Sequence, residues 1–353
     1  MKIPTKTQLA LLFLVIACLI GVVTSLVVNS IVTSQIILEA QERVKEDLNT
    51  ARWVYNSKIR DIDRTLYWAS VRHVLKRAAK LKNPASIQDE FFRLMREEGL
   101  DFLTVTDSKG TVLFRFHNLQ KAGDDLSQDP FIRSALQKKG ISGTHIFSRE
   151  ELLKESEGLA KKAFFQLIPT PKERPTEKME ETSGMVIKAA HPIIDFNGEV
   201  MGVLAGGILL NRNYEIVDRI KNIVFKDAKY RGKEIGTATI FMDDLRISTN
   251  VIDKEGNRAI GTRAMKEVEE HVLEKGLPWI QRAYVVDDWY ITAYEPIRDI
   301  AGKIVGMLYV GLLESKYAYI KERLILFFLF FSMAGMVIAL VVSFLLSWKI
   351  LKR

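Results

Sequence analysis

The stretch Pro192–Gly207, PIIDFNGEVMGVLAGG, returns 104 residues later as Pro296–Gly311, PIRDIAGKIVGMLYVG, with seven of sixteen positions identical. Each copy holds an apolar run, a D-x-x-G turn and a second apolar run broken by glycine. That pattern predicts a β-hairpin. Gly198 and Gly302 fall in the turns, where φ > 0 is favoured, whereas Gly202 and Gly306 interrupt the second strand, where a bulge or a close neighbour is expected. Two copies of one α+β module are the simplest source of such a repeat.

Outward from the hairpins, each copy predicts the rest of an antiparallel sheet. In the first, Phe102–Thr106, a turn over Asp107-Ser108-Lys109-Gly110 and Thr111–Phe116 form a second hairpin. Pro130–Lys139 follows as helix, Gly143–Ser148 and Ala163–Ile168 as strands, and Pro169–Ser183, rich in proline and charge, as an exposed loop. Met185–Pro192 and Val200–Leu210 complete the sheet, and Asn211–Lys226 is a connecting helix. The second copy repeats the scheme: Thr237–Phe241 pairs with Arg246–Asn250, Ala264–Lys275 is helical, and Trp279–Val286, Trp289–Pro296 and Lys303–Leu313 are strands.

Ahead of both copies, Val44, Leu48, Ala51, Tyr55, Ile59, Ile62, Leu66 and Ala69 recur at steps of three and four, with no proline or glycine between Ser34 and Lys82. This is one long helical stripe, expected to bury against the lobes, a sister helix or both, and to form the seam of a homodimer. Asn83-Pro84 is expected to end it, and Ser86 with Glu90 to start a shorter helix through Glu98. At the extremes, Leu9–Val32 and Leu324–Leu346 are apolar and uncharged. Each is long enough to span a hydrocarbon core of about 30 Å. Lys2 and Lys6 precede the first span, and Lys349, Lys352 and Arg353 follow the second, which places both ends in the cytoplasm and the body in the periplasm.

The expected layout is therefore a cytoplasmic tail (1–8), a first membrane helix (9–32), a long extracytoplasmic helix (33–82), a membrane-distal lobe (83–226), a membrane-proximal lobe (227–316), a second membrane helix (324–346) and a cytoplasmic end (347–353). Much of the net charge of +8 lies in the cytoplasmic flanks, so the body offers a mixed surface and no nucleic-acid face. The single cysteine, Cys18, falls in the first span, which leaves the body without a disulfide framework or a cysteine metal site. The histidines have no metal-ligand spacing, and the acidic neighbours Asp243-Asp244 and Asp287-Asp288 point apart instead of sharing a proton. No metal, cofactor or catalytic set is expected.

The layout resembles double Cache sensor domains, in particular the Cache-3/Cache-2 fusions of bacterial chemoreceptors and sensor histidine kinases. The resemblance is carried by Ile168–Pro171 (IPTP), Gly206–Tyr214 (GGILLNRNY), Gly236–Val251 (GTATIFMDDLRISTNV), Arg258–Arg263 (RAIGTR) and Trp289–Gly311. It implies an α+β fold with two PAS-like lobes behind a long N-terminal helix, between two transmembrane helices of the inner membrane. It also implies a HAMP linker and output module after the second span, either on a separate cytoplasmic partner or on a missing C-terminal domain.

Cationic donors on a concave sheet suit a carboxylate. In the distal lobe Arg115 and His117 alternate on one strand, Lys188 and His191 lie on a later strand, and His145 is a neighbour. Arg115-Phe116-His117 is similar to the Arg/His motif of citrate- and dicarboxylate-sensing kinases, which implies an organic acid. In the proximal lobe Arg246, Ser248 and Asn250 are expected on one strand face, with Arg263, Trp289 and Tyr294 as further lining. The expected function is small-molecule sensing that shifts the second membrane helix, in chemotaxis or two-component signalling. The alternative is a ligand-free envelope scaffold that binds another membrane protein.

Overall fold

The computed structural model describes residues 5–81, 87–226 and 228–350. The stop at Asn83-Pro84, the start at Ser86 and the basic ends Lys2, Lys352 and Arg353 lie outside the described residues. The chain forms two compact units, Val44–Leu312 and the pair Met1–Arg43 with Leu313–Arg353.

Helix α1 runs Thr5–Ser70, α2 His73–Leu81 and α3 Gln88–Glu98. The expected single helix to residue 82 is thus interrupted at Val71 and Arg72. Buried Ser70 turns its hydroxyl back to the Tyr67 carbonyl at 2.8 Å, and β-branched Val71 follows it, which weakens the helical ladder there. Every residue of the predicted stripe except half-buried Ile59 is fully buried in this same chain. The stripe is therefore spent on the lobes, and a seam between two copies would have to use the opposite face, which carries exposed Trp53 and Trp68.

The first lobe follows as β1 (Phe102–Asp107), β2 (Val112–Arg115), α4 (Pro130–Leu136), β3 (Ile141–Phe147), α5 (Arg149–Glu155), α6 (Glu157–Ala163), β4 (Phe165–Gln166), β5 (Glu180–Glu181), β6 (Gly184–Ile194) and β7 (Val200–Leu209). Helix α7 (Glu215–Val224) and the short strands β8 (Lys229–Tyr230) and β9 (Lys233–Glu234) lead to the second. That lobe contains β10 (Gly236–Met242), β11 (Leu245–Thr249), α8 (Lys266–Glu269), a π-helical turn over Glu270–Glu274, β12 (Trp279–Val285), β13 (Asp288–Arg298) and β14 (Ile304–Leu313), before α9 (Glu314–Ile350).

Both five-stranded sheets have one order, β2-β1-β7-β6-β3 and β11-β10-β14-β13-β12, and β6/β13 and β7/β14 begin 104 residues apart. Gly198 and Gly302 adopt φ of 82° and 85° in the turns. A Cβ on Gly202 or Gly306 would stand 2.0 Å from the carbonyl oxygen of Thr106 or Phe241 on the next strand, so close approach is what these two positions require.

Two segments differ from expectation. The chain after β3 folds as α5 and α6, started by a reciprocal capping box between Ser148 and Glu151, and little of Ala163–Ile168 remains as strand. The 169–183 segment is a strap on the second lobe and not a free loop. The Lys172 carbonyl accepts from the Lys266 amide at 2.9 Å, the Thr170 hydroxyl donates to the Arg263 carbonyl at 3.3 Å, and Arg174 pairs with Glu274 at 2.7 Å.

The other unit holds the two helical segments long and apolar enough to cross a membrane. Their large apolar side chains, among them Leu19, Leu26, Phe327 and Val341, face outward. Thr24, Ser25, Asn29 and Ser332, small and polar residues of the kind found where apolar helices approach each other, line a small cleft with Phe328.

Candidate functional site

Asp129 opens α4 as its N-cap: Oδ1 accepts from the amides of Phe131 at 2.9 Å and Ile132 at 3.1 Å. Its other oxygen accepts from Lys188 Nζ on β6 at 2.5 Å. The register Gly143↔Lys188 and His145↔Val186 places His145 and Lys188 on one face of the sheet, beneath α4. The ammonium lies 5.0 Å from the Phe131 ring and 5.3 Å from Phe147, and the His145 imidazole meets the same two rings edge-on. Burial, then the Lys188 charge, hold the His145 imidazole below its ordinary value. Burial alone would raise the Asp129 carboxyl, but the charge and hydrogen bond of Lys188 and the Ile132 amide keep it below the usual range.

Of the predicted distal set, Lys188 and His145 thus come together and the others do not. Arg115 is buried and neutralised within the chain: Nε donates to Glu155 at 2.9 Å, and Nη1 and Nη2 donate to Asp124 at 2.8 and 3.0 Å. Strand β2 ends at Arg115, so alternation fails and His117 lies exposed beside Phe92. His191 faces α1, where Nε2 lies 3.0 Å from Asp63.

In the proximal lobe the expected common face of Arg246, Ser248 and Asn250 is split by a β-bulge. Arg246 pairs with Phe241 while Ser248 pairs with the preceding Ile240, so Ile247 is the extra residue and the two side chains leave opposite faces. Ser248 donates to the Asn213 carbonyl at 2.5 Å, and Asn250 accepts from the Ala238 amide. Arg263 is bound to Asp244 at 2.7 Å and to the strap carbonyl of Arg174. Trp289 lies under Lys172 of the strap and Arg282. Arg246 and Tyr294 do meet in the core with Tyr290, Tyr309 and Phe241. Burial drives the Arg246 guanidinium down and the three phenols up.

Asp129, Glu155, Thr262 and Tyr309 escaped the sequence reading. Asp129-Pro130 carries a helix-start signal, but its pairing with Lys188 spans 59 residues and has no local signature. Two open grooves, of about 510 and 420 Å³, run along α1, lined by residues such as Arg64, Trp68 and Glu98 in one and Arg52, Asn56 and Glu295 in the other.

The lobes also touch at the site. Ile300, in the β13–β14 turn, packs on the apolar cluster of Phe131, Ile132 and Ala135 beneath α4, and a Cβ on Gly143 would stand 2.6 Å from it. Asp299 of the same turn bridges to Thr144 on β3.

Two sheets of one strand order, each with helices on its faces, make a tandem α+β body of two like lobes. Residues 208–323 match the family model described as single Cache domain 3, from the end of β7 through the proximal sheet into α9. No curated protein sequence matches this chain. Similar solved structures include the periplasmic domain of Vibrio cholerae LuxQ (12% identity, 76% of this chain and 99% of that one, TM-score 0.45). The sensor domain of the V. cholerae histidine kinase DctB matches at 9% identity (77% and 96% covered, TM-score 0.44). The ligand-binding domain of the Pseudomonas fluorescens chemoreceptor CtaA, solved with L-isoleucine, matches at 12% (83% and 98% covered, TM-score 0.38).

Proposed function

We propose that this chain senses a small extracytoplasmic molecule and relays its binding to the second membrane helix, with both ends in the cytoplasm and an output partner or domain there. One observation carries the reading. The β13–β14 hairpin places Ile300 against the cluster beneath α4 at one end, and at the other end Leu313 is followed directly by Glu314 of α9. A ligand that favours one packing of the distal cluster would bias the hairpin, and with it α9, by its differential affinity for the two arrangements. The distal lobe's own cation there, Lys188, is closed by Asp129, so a ligand carboxylate at that place would have to displace the aspartate. Pairing of two copies, if it runs along α1, uses the Trp53 and Trp68 face.

The full chain in lipid nanodiscs, with Cys18→Ser, Thr24→Cys and Ser332→Cys, tests the relay. Organic acids, amino acids and amines are screened for a rise in melting temperature, and each hit is scored for its effect on the rate at which the two introduced thiols crosslink. A hit that changes the rate, and does so less in Ile300→Ala, supports the relay. Stabilising hits that leave the rate untouched overturn it.

A further inference from the structure

Arg246 is wholly buried, yet among the described residues no carboxylate forms an ion pair with its guanidinium, and its electrostatic neighbours are the phenols of Tyr294, Tyr309 and Tyr290. Its Nη1 donates to the Thr262 hydroxyl, and the charge lies 5.0 Å from the Phe241 ring. Its Nε–H is buried with no acceptor. The other buried arginine of the body, Arg115, is satisfied by two carboxylates. A desolvated cation with an open donor is costly to keep unless something negative completes it. A second buried donor without an acceptor, Trp279 Nε1–H, belongs to the same lobe, and Trp279 is the cross-strand partner of Tyr294.

We propose that Arg246 is the anchor of a binding site for a small monocarboxylate in the proximal lobe, a deepening of the sensor reading on which it rests. With Nη1 taken by Thr262, the Nε edge of the planar guanidinium is the side left to grip two oxygens in parallel, the geometry of a carboxylate. A single cation matches a single negative charge. The rings of Phe241, Tyr294 and Tyr309 pack on one another beside it, with Tyr294 and Tyr309 centroids 4.6 Å apart, and such close aromatic surroundings suit a short apolar tail better than a long or polar one.

The test uses the full chain in nanodiscs with acetate and propionate as probes, against acetamide, propionamide and chloride at equal ionic strength. Saturable stabilisation by a carboxylate, absent with its amide and with chloride, is expected. Arg246→Lys, which keeps the charge but loses the fork, should weaken binding roughly tenfold or more. Arg246→Met should abolish it and melt no lower than the wild type without ligand; Arg246→Lys decides the matter if the methionine variant does not fold. Wild type that ignores both carboxylates, or responds equally to the amides, overturns the proposal. So does a carboxylate response that survives Arg246→Lys unchanged but is lost in Lys188→Met, an outcome that leaves the sensor reading standing with its site in the distal lobe.

Discussion

Tyr55 of α1 and Thr144 of β3 share a buried hydroxyl–hydroxyl hydrogen bond of 2.7 Å, and Thr144 also bridges by its backbone to Asp299 of the proximal hairpin. One side-chain pair thus ties the long helix to the point where the lobes meet. Tyr55→Phe leaves the Thr144 hydroxyl without that partner. It should lower the unfolding free energy by about 1–2 kcal/mol in denaturant titration, with Thr144→Val added on top costing little more.

Lys188 and Asp129 form a buried ion pair, exposed by only 5% and 10%. Removing one partner strands the other, so Lys188→Met or Asp129→Asn alone should destabilise by roughly 3 kcal/mol, whereas the double variant should recover much of that loss. A double variant as unstable as the sum of the singles would show that the two groups do not act as a pair.

His145 is held below the ordinary imidazole value of 6.5 by burial and by Lys188, with Asp129, Glu151 and Asp299 acting the other way. The fold therefore favours the neutral ring, and the unfolded chain takes up the proton first. Its contribution is full above pH 6.5 and is lost as pH falls from there toward the depressed folded value. Between about pH 8 and about pH 5.5 the melting temperature of the wild type should drop more than that of His145→Phe. Parallel profiles would remove His145 from the acid response.

Gly306→Ala would drive a methyl to within 2.0 Å of the Phe241 carbonyl oxygen. Backbone has to move, and a loss of roughly 2–4 kcal/mol is expected from chemical denaturation. Gly302→Ala meets no neighbouring atom but sits at φ of 85°, so its penalty should be smaller, about 1 kcal/mol.

The repeat made the two lobes legible, because turn glycines and alternating apolar runs are local signals. The spans and the helical stripe were readable for the same reason. What the strap does was hidden, since prolines and charges look alike whether solvated or, as with Arg174 and Lys172, laid on another lobe. The site was only partly legible. Arg115 reads as a ligand cation until Glu155 and Asp124 arrive from 40 and 9 residues away, and one extra residue in β11 turned Ser248 from Arg246.

Strand β14 lies at the middle of its sheet, flanked by β10 and β13. A centrally laced strand cannot slip by one residue without inverting every side chain it carries. Under the relay proposed above, the end of β14 would then move only with the sheet as a block. Loosening the outermost strands, β11 or β12, is the kind of damage that would let such a block deform and so weaken the proposed relay.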